Sequence, residues 1–383
     1  MKVVVIIPTY NERENIIVLL KQLDTVFLNL KRYTISYLVV DDTSPDGTGD
    51  LVKEYQNIHG NVHLITGQKE GLGKALLRGM TYAVGHLQAD ILLQMDADLS
   101  HDPTTAPKFL QAIDNGADFV VGSRYIAGGS IPENWSMIRK VYSVIGNAIV
   151  RFGLWHPQVH DWTGGYRAYT KKYYLDNREK VKGYSGYVFQ IAFLHSAIHD
   201  GARITEVPIR FTDRRFGHSK IAPAEYIFNI YKYIAVTKIQ EIITGSFGKF
   251  LVVGGVGFII NAVILILLHN ARWSATLANL AGAAVAIFSN YNLNNLWTFR
   301  HQKIIGIGQY FVKLLQFYAT SSFGVVVIQT GTIWAGVRVT GDRFYFLFFL
   351  IGTSLLLIWN YVIYSKVIWS GKAESGPARK KYE

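Results

Sequence analysis

The 383-residue chain contains no cysteine. That removes disulfide scaffolding, thiol nucleophiles and zinc–thiolate sites, and it is compatible with a cytoplasmic domain. No signal peptide is read at the start, because the first apolar run, Val3-Val4-Val5-Ile6-Ile7, is five residues long and fits a strand. The 11 histidines are read as holding no His-x₃-His pair, and so are expected to form no metal cluster. Charge is scarce as well. Four stretches carry none at all: Phe250–Leu268, Trp273–Trp297, Leu314–Val337 and Phe344–Ser365, of 19, 25, 24 and 22 residues. A bilayer is crossed by about 20 mostly apolar residues, so the sequence predicts four transmembrane helices.

The charges that are present sort by half. Residues 250–383 hold 11 Lys and Arg against 3 Asp and Glu, leaving 28 against 24 before them. The net +12 therefore belongs mostly to the membrane half, where anionic headgroups attract it, and no nucleic-acid partner is needed. Lys249, then Arg300, Lys303 and Lys313, then Lys366, Lys372, Arg379, Lys380 and Lys381 fall on one side of the predicted spans. The other side shows only Arg272, Arg338 and Arg343. Positive-inside counting places the soluble half and both termini in the cytoplasm.

Two further segments are amphipathic. In Ala224–Thr244, residues Tyr226, Ile227, Ile230, Tyr231, Ile234, Ile242 and Ile243 form a wide apolar face, with Lys232, Lys238 and Glu241 elsewhere. Trp135–Trp155 mixes Arg139, Lys140 and Arg151 with apolar residues. Both are predicted to lie at a membrane interface. The organisation read from sequence is thus a soluble domain over 1–223, an interfacial linker over 224–248, a transmembrane domain over 249–369 and a basic tail over 370–383. Glycines such as Gly254, Gly255, Gly257 and Gly282 permit close helix packing, so a homo-oligomer through the transmembrane domain is an open expectation.

The soluble half reads as α/β with a mostly parallel sheet. Val3–Ile7 runs into Pro8-Thr9-Tyr10-Asn11-Glu12, and Glu12 and Glu14 are expected in the first turn of a helix with Ile16, Leu19, Leu20 and Leu23 on one face. A second strand, Tyr37–Val40, ends in Asp41-Asp42, which suit a ribose or base. Gly71-Leu72-Gly73-Lys74 opens a helix and lets backbone approach phosphates, but lacks P-loop or dinucleotide spacing. The run Ile91-Leu92-Leu93 leads into Gln94-Met95-Asp96-Ala97-Asp98-Leu99-Ser100-His101. On extended backbone, residues two apart project to one side, so Asp96 and Asp98 are expected to face one point. Two hard carboxylates suit Mg²⁺ or Mn²⁺ shared with substrate phosphates. Ligands bind at this carboxyl edge of open α/β sheets.

The strings IIPTYNE, VVDDTSPDGT, GLGKA and MDADLSH, in this order, resemble inverting glycosyltransferases of family 2, with the GT-A fold. Gly122-Ser123-Arg124-Tyr125, Asp161-Trp162-Thr163-Gly164-Gly165-Tyr166-Arg167, Gly186-Tyr187-Val188-Phe189-Gln190 and Glu206-Val207-Pro208-Ile209 extend the likeness, over roughly residues 1–245, to the dolichol-phosphate mannose synthase branch. The four-span block resembles GtrA-like membrane domains through Asn290-Tyr291-Asn292-Leu293-Asn294-Asn295-Leu296-Trp297-Thr298-Phe299.

The resemblance implies transfer of mannose from GDP-mannose to dolichyl or another polyprenyl phosphate. UDP-glucose as donor is the same-class alternative, and a lipid-linked-sugar translocator the alternative from another class. It implies a donor site at Pro8, Tyr10, Glu12, Val39, Asp41, Asp42, Gly73, Asp96, Ala97, Arg214 and Lys220. Asp96 and Asp98 are the metal ligands, with Asp98 the more direct. Members acting on hydroxyls place an acid near Gly186–Gln190, and this chain has none there. A phosphate acceptor explains the gap, being already an anionic nucleophile at pH 7 with a second pKa of about 6. The Gln-x-x-Arg-Trp motif of processive synthases is missing too, so one sugar goes to one lipid. Arg124, Arg139 and Ser143 are the acceptor-phosphate ligands, and Asp98, Arg124 and Arg139 the catalytic residues.

Overall fold

The computed structural model describes residues 1–213 and 223–370. The predicted donor-site residues Arg214 and Lys220, and the basic residues beyond Ser370, lie outside the described residues. The chain divides into two compact units, Met1–Val236 and Thr237–Glu383.

In the first unit, β1 (Lys2–Thr9), α1 (Ile16–Phe27), β2 (Thr34–Asp41), α2 (Thr48–Gln56), β3 (Val62–Thr66), α3 (Leu72–Gly85) and β4 (Ile91–Gln94) alternate. After them come α4 (Ala106–Asp114), β5 (Phe119–Ser123), α5 (Met137–Gly153), β6 (Arg167–Thr170), α6 (Lys171–Val181), α7 (Gly186–His199), β7 (Ile204–Pro208) and α8 (Pro223–Thr244), whose residues from Thr237 onward belong to the second unit. The seven strands form one sheet in the order β3-β2-β1-β4-β6-β5-β7. Only β6 runs against its neighbours β4 and β5. The near-continuous apolar runs have a simple cause: both faces are covered. Val4, Ile6, Leu38, Val40 and Leu92 enter one core, and Val3, Val5, Ile7, Val39, Ile91 and Leu93 enter the other.

The predicted face of α1 is buried at Ile16, Leu19, Leu20 and Leu23. Its acids are not in the first turn as expected. The helix begins at Ile16, and Glu12 lies in the preceding turn, its carbonyl accepting from the amides of Asn15 and Ile16 at 3.0 Å each. On α3, Gly79 is needed for approach to the sheet, because a Cβ there would stand 2.8 Å from Ile6 Cγ2 and Val40 Cγ2. Helices form over both predicted amphipathic segments. α5 leaves Met137, Ile138, Val141, Tyr142, Val144 and Ile145 exposed. α8 buries Ile230 and Tyr233 and exposes Phe228, Tyr231, Ile239, Ile242 and Ile243.

The second unit contains α9 (Ser246–Asn270), α10 (Ala275–Leu293), α11 (Ile307–Phe323), α12 (Thr330–Thr340) and α13 (Tyr345–Ile363). Ser246–Asn270, Ile307–Thr340 and Leu347–Ile368 are, among the described residues, long and apolar enough to cross a membrane. Their large side chains are mostly exposed, a surface that water does not tolerate and lipid does.

This unit repeats itself. Helix α10 has 19 residues and runs into a five-residue π-turn, Asn294–Thr298; α13 has 19 and runs into another, Tyr364–Ile368. Each boundary of the second set lies 70 positions after the first: 275 and 345, 293 and 363, 298 and 368. Asn290-Tyr291 recurs as Asn360-Tyr361, and each turn closes alike, Phe299 N donating to Asn294 O and Trp369 N to Tyr364 O, both at 2.8 Å. The rings of Phe299 and Trp369 stack at 4.7 Å. Asn295 ties the copies together, its Oδ1 accepting from Trp369 Nε1 at 2.9 Å. Asn290 and Asn294 each keep a buried Oδ1 without a partner among the described residues.

Candidate active site

The carboxyl ends of β2, β1 and β4, parallel neighbours, bring the first group of predicted residues to one edge. Asp41 is buried and accepts from Thr9 Oγ1 at 2.9 Å, Ser44 N at 2.8 Å and Ser44 Oγ at 2.6 Å, so it locks the loops after β1 and β2 together. Asp42 takes Arg78 Nη2 at 2.5 Å. Burial raises its pKa nonetheless, outweighing the attraction of Arg78. Glu12 is held by Thr48 Oγ1, which accepts from its amide at 3.0 Å, and by Asn15, which donates to its carboxylate at 2.8 Å. The Lys69 ammonium lies 3.5 Å over the Tyr10 ring. Pro8 is half-buried, and Val39 points its side chain into the core, which leaves only its backbone for a ligand.

The glycine turn before α3 has a packing cause. A Cβ on Gly73 would lie 2.6 Å from the Tyr184 carbonyl and 3.1 Å from Phe189. Lys74, the turn's cation, is paired with Glu70 at 2.6 Å.

The strand β4 stops at Gln94, so Asp96 and Asp98 lie beyond the strand, Asp98 in a bend over 97–99 with Leu99 at φ 62°. Other contacts set their positions. The Asp96 amide donates to His101 Nδ1 at 3.0 Å, and His101, fully buried, stacks on Tyr166. Asp98 Oδ1 accepts from Ser100 N and Oγ at 3.1 and 2.6 Å. Ala97 between them is buried. His-x₃-His spacing does occur, at His59/His63, His156/His160 and His195/His199. Yet no three His, Cys, Asp or Glu side chains gather as a ligand set among the described residues.

Beside the bend opens a cavity of about 420 Å³ lined by Asp96, His101, Arg124, Arg139, Ser143, Thr163, Gly164, Gly165, Tyr142 and Tyr187, among others. It gathers Asp96 with all three predicted acceptor ligands. Asp98, Ala97 and the donor residues of β1 and β2 are not in its lining. Arg124, just past β5, is no surface cation. Its Nε and Nη2 fork onto the two oxygens of Asp161 at 2.7 and 2.8 Å, and Nη2 also reaches Thr163 Oγ1 at 2.8 Å. Asp161 has no solvent exposure. Burial alone would raise its pKa, but Arg124 prevails and holds the carboxyl below the usual range. Arg139 is half exposed, packs on Trp135 at 3.8 Å and approaches Asp213 at 3.5 Å. Ser143 Oγ bonds Tyr125 OH at 2.6 Å.

The floor is rigid. Arg167, fully buried, donates to the carbonyls of Gly164, Gln190 and Trp162 at 2.8, 2.6 and 2.8 Å, and Gln94 Nε2 donates to Gly165 O at 2.9 Å. Sequence reasoning gave Asp161, Thr163, Tyr142, Tyr187 and His101 no role. The signal was present for Asp161, Thr163 and Tyr187, which stand in strings quoted for family likeness.

A mostly parallel sheet of this order, with aspartates beyond β2 and β4 at its carboxyl edge and an arginine-lined cavity beside them, has the GT-A-like form. Comparison with known proteins narrows this. The family described as Glycosyl transferase family 2 matches residues 4–177, and the GtrA/DPMS transmembrane domain matches 249–369. The dolichol-phosphate mannosyltransferase of Pyrococcus furiosus is 33% identical over 380 residues, 97% of this chain and 100% of that protein. The polyprenol monophosphomannose synthase of Mycolicibacterium smegmatis is 40% identical over 223 residues, 58% of this chain and 81% of that protein. Among solved structures, a mannosyltransferase from Pyrobaculum calidifontis in complex with GDP-Man and Mn²⁺ aligns with TM-score 0.37 and 15% identity, over 97% of this chain and 88% of that one. The chain belongs to glycosyltransferase family 2 and carries a GtrA/DPMS membrane domain; it is a membrane-bound glycosyltransferase.

Proposed function

We propose that the protein transfers mannose from GDP-mannose to dolichyl or another polyprenyl phosphate, with inversion, at the cytoplasmic face of a membrane. The observation that carries this is the position of α5. One side of that helix brings Arg139 and Ser143 to the cavity that holds Arg124 and Asp96, while Val141, Val144 and Ile145, which do not line it, remain exposed. A phosphate on an apolar chain has that polarity. The two curated relatives, named for mannosyl transfer to dolichol and polyprenol phosphate, support the same acceptor class.

In this reading the acceptor phosphate oxygen attacks C1 of the sugar. The new O–C1 bond forms as the bond from C1 to the donor's diphosphate oxygen breaks, and GDP leaves. No base is required, because the nucleophile arrives ionised, and α7 begins without an acid over Gly186–Gln190. Arg124 and Arg139 hold and neutralise the incoming phosphate. Asp41, Asp42, Glu12 and Tyr10 order the nucleotide end of the donor, with Arg214 and Lys220 assigned to its diphosphate. The carboxylate oxygens of Asp96 and Asp98 are hard donors of the kind Mg²⁺ and Mn²⁺ prefer. A divalent cation there would offset the negative charge of the departing diphosphate.

For the second unit we propose four spans, with both termini cytoplasmic. Helix α10 is the fourth, with a length and position equivalent to those of α13.

Transfer of radiolabelled sugar to dolichyl phosphate, from GDP-mannose and from UDP-glucose, each with Mn²⁺ or EDTA, tests the proposal. Metal-dependent mannolipid is the expected product. Glucolipid alone would move the donor to UDP-glucose, and no lipid product from folded, nucleotide-binding protein would leave translocation as the reading to pursue.

A further inference from the structure

Glu206 is an acid of the family-like strings that the proposed chemistry leaves unused, and its setting is unusual for an edge strand. It lies on β7, paired in register with Val121 of β5, the strand that delivers Arg124. Its carboxyl is 10% exposed. Oε1 accepts from the amides of both His160 and Asp161 at 3.0 Å, and Oε2 meets His160 Nδ1 at 2.6 Å. An edge carboxylate ordinarily stays solvated. This one is withdrawn from water to fix the backbone of two loop residues.

The second of those residues is Asp161, whose carboxylate gathers Arg124 N, Nε and Nη2 together with the amides of Thr163 and Gly164. The contacts therefore run in series, from the Glu206 carboxylate to the 160–161 backbone, from the Asp161 carboxylate to the Arg124 guanidinium. Glu206 does not line the cavity.

We propose that Glu206 is a positioning residue for acceptor capture, acting through Asp161 to aim Arg124 into the cavity. This rests on Arg124 as an acceptor-phosphate ligand. Removing the carboxylate leaves two amides unpaired and lets the loop that carries Asp161 relax. A displacement of about 1 Å at a reacting group costs up to roughly 100-fold. The two amides need an oxygen and not a charge, so Glu206→Gln, which keeps one, is the conservative rescue.

The test is a double-mutant cycle on the full chain in detergent, with Glu206→Ala and Arg124→Lys separately and together. Alone, Glu206→Ala is expected to lower kcat/KM for the lipid phosphate about 10- to 100-fold while GDP affinity by calorimetry stays at the wild-type value. Glu206→Gln is expected to stay within about threefold of wild type. In the Arg124→Lys background the Glu206→Ala factor is expected to shrink to about threefold or less, because the group it aims is gone. The same factor in both backgrounds, or wild-type kinetics for Glu206→Ala, overturns the proposal. Should Glu206→Ala lose GDP affinity or its melting transition, the cycle is run with Glu206→Asp, one methylene short of both amides, and read in the same way. A wild-type protein that makes no mannolipid refutes the functional reading instead, which keeps the two failures distinct.

Discussion

Asp161→Asn is nearly isosteric, so its effect isolates one negative charge at the centre of the site. In the wild type five N–H donors converge on two carboxylate oxygens: Arg124 N and Nε on Oδ2, and Arg124 Nη2, Thr163 N and Gly164 N on Oδ1. Whichever way the asparagine amide turns, its NH₂ faces at least two of these donors. Arg124 is left buried without its counter-ion. Removing one partner of a buried pair costs about 3–5 kcal/mol. A unit of this size loses about 2–4 °C per kcal/mol, so the melting temperature is expected to fall by roughly 6–20 °C.

Acid should affect the two proteins differently. The Asp161 carboxyl is held below its ordinary range in the folded state, burial opposing and Arg124 prevailing. Its stabilisation is then complete above the unfolded value of about 3.9 and is lost as pH falls further, through the folded value. Wild type and Asp161→Asn should differ in melting temperature by a constant amount at neutral pH and converge below pH ~4. The assay is intrinsic tryptophan fluorescence on heating the full chain in detergent. A difference under about 2 °C at pH 7 would refute the argument, because it would show that the buried pair contributes nothing net.

Arg139→Ala should raise KM for the lipid phosphate about 10- to 100-fold, the loss of a charge-assisted bond, with KM for the sugar donor unchanged. A fall in GDP affinity by calorimetry would reassign Arg139 to the donor. Gly79→Ala places a methyl 2.8 Å from Ile6 and Val40. It should destabilise by about 1–3 kcal/mol, and an unchanged melting temperature would mean that α3 can back away from the sheet. Chelation by EDTA should abolish transfer and added Mn²⁺ or Mg²⁺ should restore it; transfer that persists in EDTA would remove the metal from Asp96 and Asp98.

The sheet was legible because its strands are buried on both faces and so read as unbroken apolar runs ended by Pro, Asn, Asp or Gly. Arg124 and Arg139 were legible as cations, but their different states were not. Arg124 is forked onto Asp161, 37 positions away, and Arg139 stacks on Trp135, four positions before it. The bend after Gln94 was hidden for a related reason. His101 receives the Asp96 amide, and a contact of that kind has no local periodicity. Gly73 read as letting backbone approach phosphates, whereas the Tyr184 carbonyl and Phe189 crowd it. The duplication in the second unit escaped because few letters match at the 70-position offset, Asn290-Tyr291 against Asn360-Tyr361 being the one adjacent pair, and isolated matches such as Gly282 and Gly352 do not stand out in apolar sequence. The geometry persists where residues have diverged, as with Asn295 and Ser365.

The pairing of a phosphate site with an exposed apolar helix face follows from transfer energetics. Burying one CH₂ is worth about 0.8 kcal/mol, so each five-carbon prenyl unit holds to lipid by roughly 4 kcal/mol. A few units exceed the strongest noncovalent binding, about 18–21 kcal/mol. No pocket can withdraw such a chain from a bilayer, and the cavity of about 420 Å³ has no room for one. The enzyme must instead rest against lipid and take in only the phosphate end. Helix α5 offers both surfaces within one element, Arg139 and Ser143 on the cavity side and Val141 and Ile145 exposed away from it. The apolar face should therefore matter only when the acceptor is in a membrane. Val141→Glu with Ile145→Glu should raise KM for dolichyl phosphate in vesicles about 10-fold or more, the burial of two side chains being worth some 3 kcal/mol. It should leave a short, water-soluble prenyl phosphate with unchanged KM and kcat. An equal effect on both acceptors would place these residues in the pocket and remove the bilayer from the argument.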